Sequence, residues 1–290
     1  MLFYPINVIW QSLYDMLGSV KIIYLAIACS ILILGVNLNY AAQQQNTTHI
    51  QSPEFDGTLR RIYTPILMYH YVSPIPSNAD EYRIGLTVTP DRFRQQLQYL
   101  QDNNYEATSL YELHRALMTG NELPLNPVIF TFDDGHIDHY NYVLPLLLEY
   151  DFYGTFFIIT GFADNNMFGH LNWEQIVALS EAGMDVEAHS KTHPDLRQRD
   201  HEFLVYQILG SIESLSAHTR DERHMFAYPA GKYDEATLQI AASIPVYIAV
   251  TTRHGTHHTS DDTLELSRLR MTQDIGPNGL LNVLDGSINR

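Results

Sequence analysis

Cysteine is nearly missing from this chain: Cys29 stands alone among 290 residues. With no second cysteine there is no internal disulfide and no thiolate-rich zinc site. Any metal must be held by His, Asp or Glu, and 14 His keep that open. Basic residues are also scarce. Seventeen Lys and Arg face 33 Asp and Glu, for a formal net charge of -16. That balance excludes a nucleic-acid partner, because phosphate backbones need a basic surface. It also disfavours adhesion to anionic lipid headgroups. No internal repeat is visible. What the chain does have is a hydrophobic fraction of 45%, enough for a substantial core in one large domain.

The uncharged apolar run over residues 22–36 follows Lys21. It is short against the roughly 20 residues of a comfortable membrane span and suits the core of a signal peptide. Two readings stand: cleavage near Ala41-Ala42, with bulky Tyr40 close by, or an uncleaved N-terminal anchor. A start at Met16 would make the signal compact. Residues 1–42 are therefore expected to be a signal peptide or membrane anchor, 43–60 a polar, flexible linker, and 61–290 one domain. An exported protein follows: periplasmic, cell-surface or secreted, and touching a membrane only through this segment.

Beyond the linker, strand-like and helix-like segments alternate. Strands are expected over 63–72, 127–132, 154–159, 184–188, 226–227, 246–250 and 266–271. Thr89-Pro90 opens a helix with an N-cap and a first-turn proline. Ser109-Leu110-Tyr111-Glu112 is a capping box, and Asn172-Trp173-Glu174-Gln175 resembles one. Further helices are expected over 141–150, 199–218 and 234–242. Strands alternating with helices imply parallel βα units, closed into a barrel or laid out as an open sheet.

Two local patterns carry chemistry. The strand Pro127-Val128-Ile129-Phe130-Thr131-Phe132 ends abruptly in Asp133-Asp134-Gly135. Adjacent carboxylates repel, which is tolerable where one binds a cation and the other is a base beside it. A polar Asp-Gly turn is the competing reading. The second pattern is His189-Ser190-Lys191-Thr192-His193-Pro194, again after a strand. Two imidazoles four residues apart can face one centre and suit zinc or a similar divalent ion. One Asp and two His make three protein ligands and leave coordination positions open, the pattern of a catalytic site. The chemistry implied is metal-assisted hydrolysis with the second Asp as base.

Together with Phe226-Ala227-Tyr228-Pro229-Ala230-Gly231, these motifs occur in the order and approximate spacing of the polysaccharide deacetylases of carbohydrate esterase family 4, which the sequence resembles over roughly residues 66–271. The resemblance implies an α/β fold, a distorted (β/α) barrel. It also implies metal ligation by Asp134, His189 and His193, with Asp133 as the base that activates water at the metal. Ala230 and Tyr228 of the third motif become candidates for oxyanion and substrate contacts, the former through its peptide N–H.

The sequence departs from the family pattern in three places. Ala227 stands where an Arg usually orients the base, Ala230 replaces a Tyr, and the late strand Leu266-Ser267-Arg268-Leu269-Arg270-Met271 lacks the His that usually serves as acid. Leu67-Met68-Tyr69-His70-Tyr71-Val72 resembles instead the N-terminal motif of a circularly permuted subgroup that includes poly-N-acetylglucosamine deacetylases. There His70 would supply the acid, donating in its protonated form to the leaving amine. Arg268 is the candidate partner for Asp133, with Arg270 its rival should the register differ.

Weaker signals are His136 and His139, read as exposed loop residues, and His254, His257 and His258, read as a solvated loop. Trp173 either lines a sugar-binding groove or staples its helix. The expected function is metal-dependent removal of N-acetyl groups from an exported amino-sugar polysaccharide: poly-N-acetylglucosamine, a chitin-like polymer or peptidoglycan. The expected metal is zinc, with cobalt or nickel as substitutes, and the protein is expected to be a monomer. An O-acetyl esterase acting on xylan-type polymers, and a non-catalytic carbohydrate-binding protein on the same fold, are the alternatives.

Overall fold

A computed structural model describes residues 53–284. The expected signal or anchor and part of the expected linker lie outside the described residues. Residues 53–60 have no regular secondary structure. They are nonetheless tied down: the Arg60 guanidinium donates to Asp56 and to the carbonyls of Leu117 and Met118.

Seven parallel strands close a barrel: β1 (Ile66–Tyr69), β2 (Pro127–Phe132), β3 (Thr155–Ile158), β4 (Asp185–Ala188), β5 (Met225–Ala227), β6 (Ile248–His254) and β7 (Leu266–Arg270). Each strand pairs with the next in sequence, and β1 also pairs with β7, Leu67 opposite Leu269. A short strand, Glu106–Ala107, adds to the outside of β2. The barrel, one domain of (β/α) type, is the closed form of the two arrangements that alternation allows.

Strand alternation sorts the side chains into two cores. Facing outward, Leu67, Phe130, Phe132, Phe156, Val186 and Phe226 pack under the surrounding helices. Facing inward, Ile66, Ile129, Phe157, Met225, Ile248 and Leu266 pack against Leu110, Leu113 and Leu117 of the helix Leu110–Thr119, which stoppers the barrel. That helix starts where the capping box places it, with Ser109 and Glu112 bonding reciprocally. The N-caps at Thr89 and Asn172 also form. Above the apolar stopper the inward residues turn polar, among them Thr131, Asp133, Arg268 and His189, and all four are buried.

The structure differs from expectation in three places. The single strand expected over 63–72 is broken into Arg61–Tyr63, β1 and Tyr71–Val72. Pro65, with no N–H to give a ladder, separates the first two. The expected solvated loop around residue 257 is also structured. His257–Thr259 pairs antiparallel with Arg61–Tyr63, and buried His258 holds the Thr64 carbonyl at 2.9 Å. Finally, Glu81–Gly85, Thr160–Asp164 and Pro277–Leu284 form helices that no capping or periodicity signal had announced.

Candidate active site

The turn after β2 aims its two carboxylates in different directions. Asp134 adopts φ 74° and Gly135 φ 66°, a left-handed bend that costs a non-glycine residue energy and is held only where the surroundings enforce it. Asp133 continues the inward face of β2. Its carboxylate meets Arg268, whose two terminal nitrogens each donate to a different Asp133 oxygen at 2.7 Å. The guanidinium is itself locked, giving further hydrogen bonds to Thr131 Oγ1 at 3.0 Å and the Thr251 carbonyl at 2.9 Å. Burial would raise the Asp133 pKa, but the charge and hydrogen bonds of Arg268 outweigh it and hold the carboxyl down at about 2. Register places Arg268, not Arg270, on Asp133. Arg270, the next inward residue of β7, lines the pocket.

Asp134 faces the histidine pair. Its Oδ1 lies 3.4 Å from His189 Nε2 and 3.4 Å from His193 Nε2. The donor atoms of these three residues all lie within 4.8 Å of one another. His189 Nδ1–H donates to the Ala227 carbonyl at 2.7 Å, which fixes the ring and leaves Nε2 free to ligate. Burial disfavours the Asp134 carboxylate, yet hydrogen bonds from His136 and His189 pull its pKa well below the ordinary value. One carboxylate and two imidazole nitrogens lining a pocket form a donor set that fits a catalytic divalent ion.

The loop carrying the histidines is built for this shape. Ser190 and His193 both have positive φ. Ser190 Oγ accepts from the His193 amide at 2.9 Å. Buried Gln207, from the helix His201–Thr219, accepts from the amides of Lys191 and Thr192 and donates to Thr192 Oγ1. Gly161 donates to the Lys191 carbonyl at 2.8 Å, and a Cβ there would stand 2.3 Å from that oxygen. Sequence reading gave no signal for Gln207, because a buried Gln inside a helix looks like any surface one.

A pocket of about 440 Å³ brings together His70, Asp133, Asp134, His189, His193 and Ala230. His70 Nε2 is 4.0 Å from Asp133 Oδ2. Burial pushes the His70 pKa down to about 4, against the pull of the two carboxylates, so the imidazole is neutral near pH 7. Ala230 adopts φ 51°, and Gly231 beside it packs so close to Thr252 that a Cβ would meet Oγ1 at 2.1 Å.

Other expected residues lie elsewhere. Tyr228 points outward: its ring stacks on Tyr233, and its hydroxyl donates to the Leu264 carbonyl. It presents no side chain to the pocket, because it falls on the outward parity of β5. Trp173 stacks on His218 at 3.7 Å and donates to Asp164, outside the pocket lining. Its ring is thus engaged in packing and takes no part in the lining of this pocket. His136 and His139, expected to be exposed, are buried. His139 Nε2 sits 2.6 Å from the His70 carbonyl, and His136 Nε2 lies 3.3 Å from Asp134 Oδ2. The signal for His136 was its place directly after the Asp133-Asp134-Gly135 turn.

A barrel whose strand ends carry an arginine-clamped carboxylate beside an Asp/His/His donor set defines a hydrolase of the deacetylase kind, and comparison with known proteins gives the family. The sequence profile described as Polysaccharide deacetylase matches residues 120–249. The Streptococcus pyogenes deacetylase PplD, solved in complex with acetate, is 33% identical with a TM-score of 0.72, over 78% of this chain and 99% of that one. The putative polysaccharide deacetylase YxkH of Bacillus subtilis (strain 168) is 27% identical over 208 residues, 72% of this chain and 71% of that protein. A shorter stretch of 62 residues, 21% of this chain, is 34% identical to 9% of the Escherichia coli (strain K12) poly-beta-1,6-N-acetyl-D-glucosamine N-deacetylase. The chain belongs to the polysaccharide deacetylases of carbohydrate esterase family 4. It is accordingly an enzyme acting on amide bonds of acetylated polysaccharide.

Proposed function

We propose that this enzyme removes N-acetyl groups from an extracytoplasmic amino-sugar polymer in a metal-dependent reaction. Poly-N-acetylglucosamine is the first choice, ahead of chitin-like polymers and peptidoglycan. The observation that carries the reading is the Arg268-clamped Asp133 carboxylate beside the Asp134, His189 and His193 donor set in one pocket. The choice of polymer is supported by the local similarity to the Escherichia coli enzyme and by the histidine at the end of β1. Export is supported by the apolar segment near the N-terminus. Among the described residues no helix is long and apolar enough to cross a membrane. The protein is proposed to act as a monomer.

Asp134, His189 and His193 would hold the metal, zinc by preference with cobalt or nickel as substitutes; when bound, it polarises the acetamide carbonyl and lowers the pKa of water. Asp133, ionised at any working pH and fixed by two hydrogen bonds, takes the proton from the attacking water. The peptide N–H of Ala230 serves as a donor to the oxyanion at the pocket wall. His70 starts neutral, so the proton it gives the leaving amine is one gained during the cycle, with Asp133 4.0 Å away as the source. Acetate and a free glucosamine-type amine leave.

The test is acetate release by the metal-loaded protein from oligomers of β-1,6-linked and β-1,4-linked N-acetylglucosamine, from peptidoglycan, and from acetylated xylan. Turnover of N-acetylated polymers supports the reading. Turnover of acetylated xylan alone would replace it with an O-acetyl esterase, and no turnover of any would leave a carbohydrate-binding protein on an enzyme's fold.

A further inference from the structure

The Asp134 carboxylate is approached from two sides, and its two oxygens are not equivalent. Oδ1 is the oxygen that faces His189 and His193, at 3.4 Å from each Nε2. Oδ2 faces His136, whose Nε2 is 3.3 Å away. The His136 ring is buried, and its Nε2 meets no well-aligned hydrogen-bond partner; the oblique contact with Asp134 is the ion pair it makes. One face of the ring lies on Tyr71 with centroids 3.7 Å apart and planes 20° apart. The Tyr71 ring is in turn covered by the Arg83 guanidinium, 3.0 Å from its centroid, and Arg83 is pinned to Ser73 by a 2.9 Å hydrogen bond. Backbone pairing fixes the segment as well. His136 bridges to His170, Leu171 donates to the Gly135 carbonyl, and Ile137 donates to the Gly169 carbonyl. The ring therefore has little freedom to leave the carboxylate.

We infer that His136 is a positioning residue for the proposed metal ligand Asp134: its Nε2–H holds Oδ2 through an orientation set by the Arg83–Tyr71 stack, so that Asp134 ligates through Oδ1 alone. An Asp free to rotate could offer both oxygens to a cation and fill a position that the reaction needs for water or substrate. Holding Oδ2 from the side keeps one oxygen for the metal and the remaining positions open. A hydrogen bond to the distal oxygen also fixes the ligand's direction before the ion arrives, and loss of such an outer partner costs roughly 10- to 100-fold in metal affinity. The stack has a second consequence. Arg83 belongs to the short helix Glu81–Gly85, whose Glu81 and Tyr82 line the same pocket as the proposed metal ligands. The ligand's orientation and the substrate-facing wall thus share one support.

This inference rests on the metal site proposed above. Its test is the dissociation constant of Co(II), measured by competition with a chelator on the full chain stripped of metal, alongside the visible absorption of the bound ion. Five proteins are compared: wild type, D134A, H136A, H136Q and the control H258A. The Gln amide nitrogen can donate from near the place of Nε2. H136A is expected to bind Co(II) about 10- to 100-fold more weakly and to show a changed absorption band, and H136Q to recover most of the affinity. H258A, which removes a buried imidazole far along the chain, reports what destabilisation alone does and should leave the affinity unchanged. Equal affinities for wild type and H136A, or an H136Q protein no better than H136A, would overturn the role of His136 with the metal site standing. Equal affinities for wild type and D134A would overturn both.

Discussion

Arg268 grips Asp133 with two parallel hydrogen bonds of 2.7 Å, joining β7 to the end of β2 across the inside of the barrel. The pair gives the Asp133 carboxylate the arginine partner that position 227, an Ala, cannot provide. Its geometry is bidentate, and neither partner is exposed. Replacing Arg268 with Ala leaves a buried carboxylate without its counter-charge, which costs about 3–5 kcal/mol. R268K retains the charge and loses the fork, so it is not a conservative change. In R268K the Asp133 pKa should rise from about 2, because the interaction that depresses it is weakened. An NMR titration of the Asp133 carboxyl carbon in metal-free wild type and R268K checks this, with an unmoved midpoint as the contrary outcome.

His70 stands within reach of Asp133 and of the pocket, and its carbonyl is held in place by His139. If its role is to protonate the leaving amine, H70N should lower kcat by roughly 10²- to 10⁴-fold with KM little changed. Metal content should stay at the wild-type value, because His70 is not in the donor set. A loss of metal in H70N would make it a ligand instead. Steady-state kinetics with metal analysis on the same sample separates the two.

A second pH effect lies away from the chemistry. Glu187 on β4 is fully buried, and its carboxyl accepts from Tyr111 and from the amides of His224 and Met225. Burial pushes its pKa from 4.5 up to about 8, more than the neighbouring Arg223 offsets. Asp185, on the same strand, is raised in the same way to about 6. The folded state then binds more protons than the unfolded state between pH 4.5 and about 8, so stability falls as pH rises through that window. E187Q fixes the neutral form while keeping an acceptor for the amides and a group for Tyr111. Urea unfolding at pH 5 and pH 8 should show a markedly smaller difference for E187Q than for wild type. An equal difference would place the pH dependence elsewhere.

The legible parts of this molecule were those whose geometry is local. The turn Asp133-Asp134-Gly135 and the pair His189 and His193 each sit within a few residues at a strand end, and barrel closure brings the two together. The capped helix starts were legible for the same reason, since a cap is a contact over three residues. The Asp133–Arg268 pair spans 135 residues of chain. Sequence could name Arg268 and its rival Arg270, but only barrel register decides between them. His136 and His139 looked exposed because much of their burial is made by Tyr71 and His70, more than 60 residues earlier in the chain. Tyr228 was misplaced for an avoidable reason: with Ala227 facing the barrel interior, strand parity alone sends the next residue outward.

The central claim is that metal ligation and Asp133 act in one site. It is tested most directly by acetate release from an N-acetylglucosamine oligomer, using protein stripped by a chelator and then reloaded with zinc, for wild type and D133N in parallel. The account predicts no release from the stripped proteins, full recovery in reloaded wild type, and turnover at least about 10²-fold lower in reloaded D133N at equal zinc content. Release by the stripped wild type, or equal turnover by reloaded D133N, would contradict it.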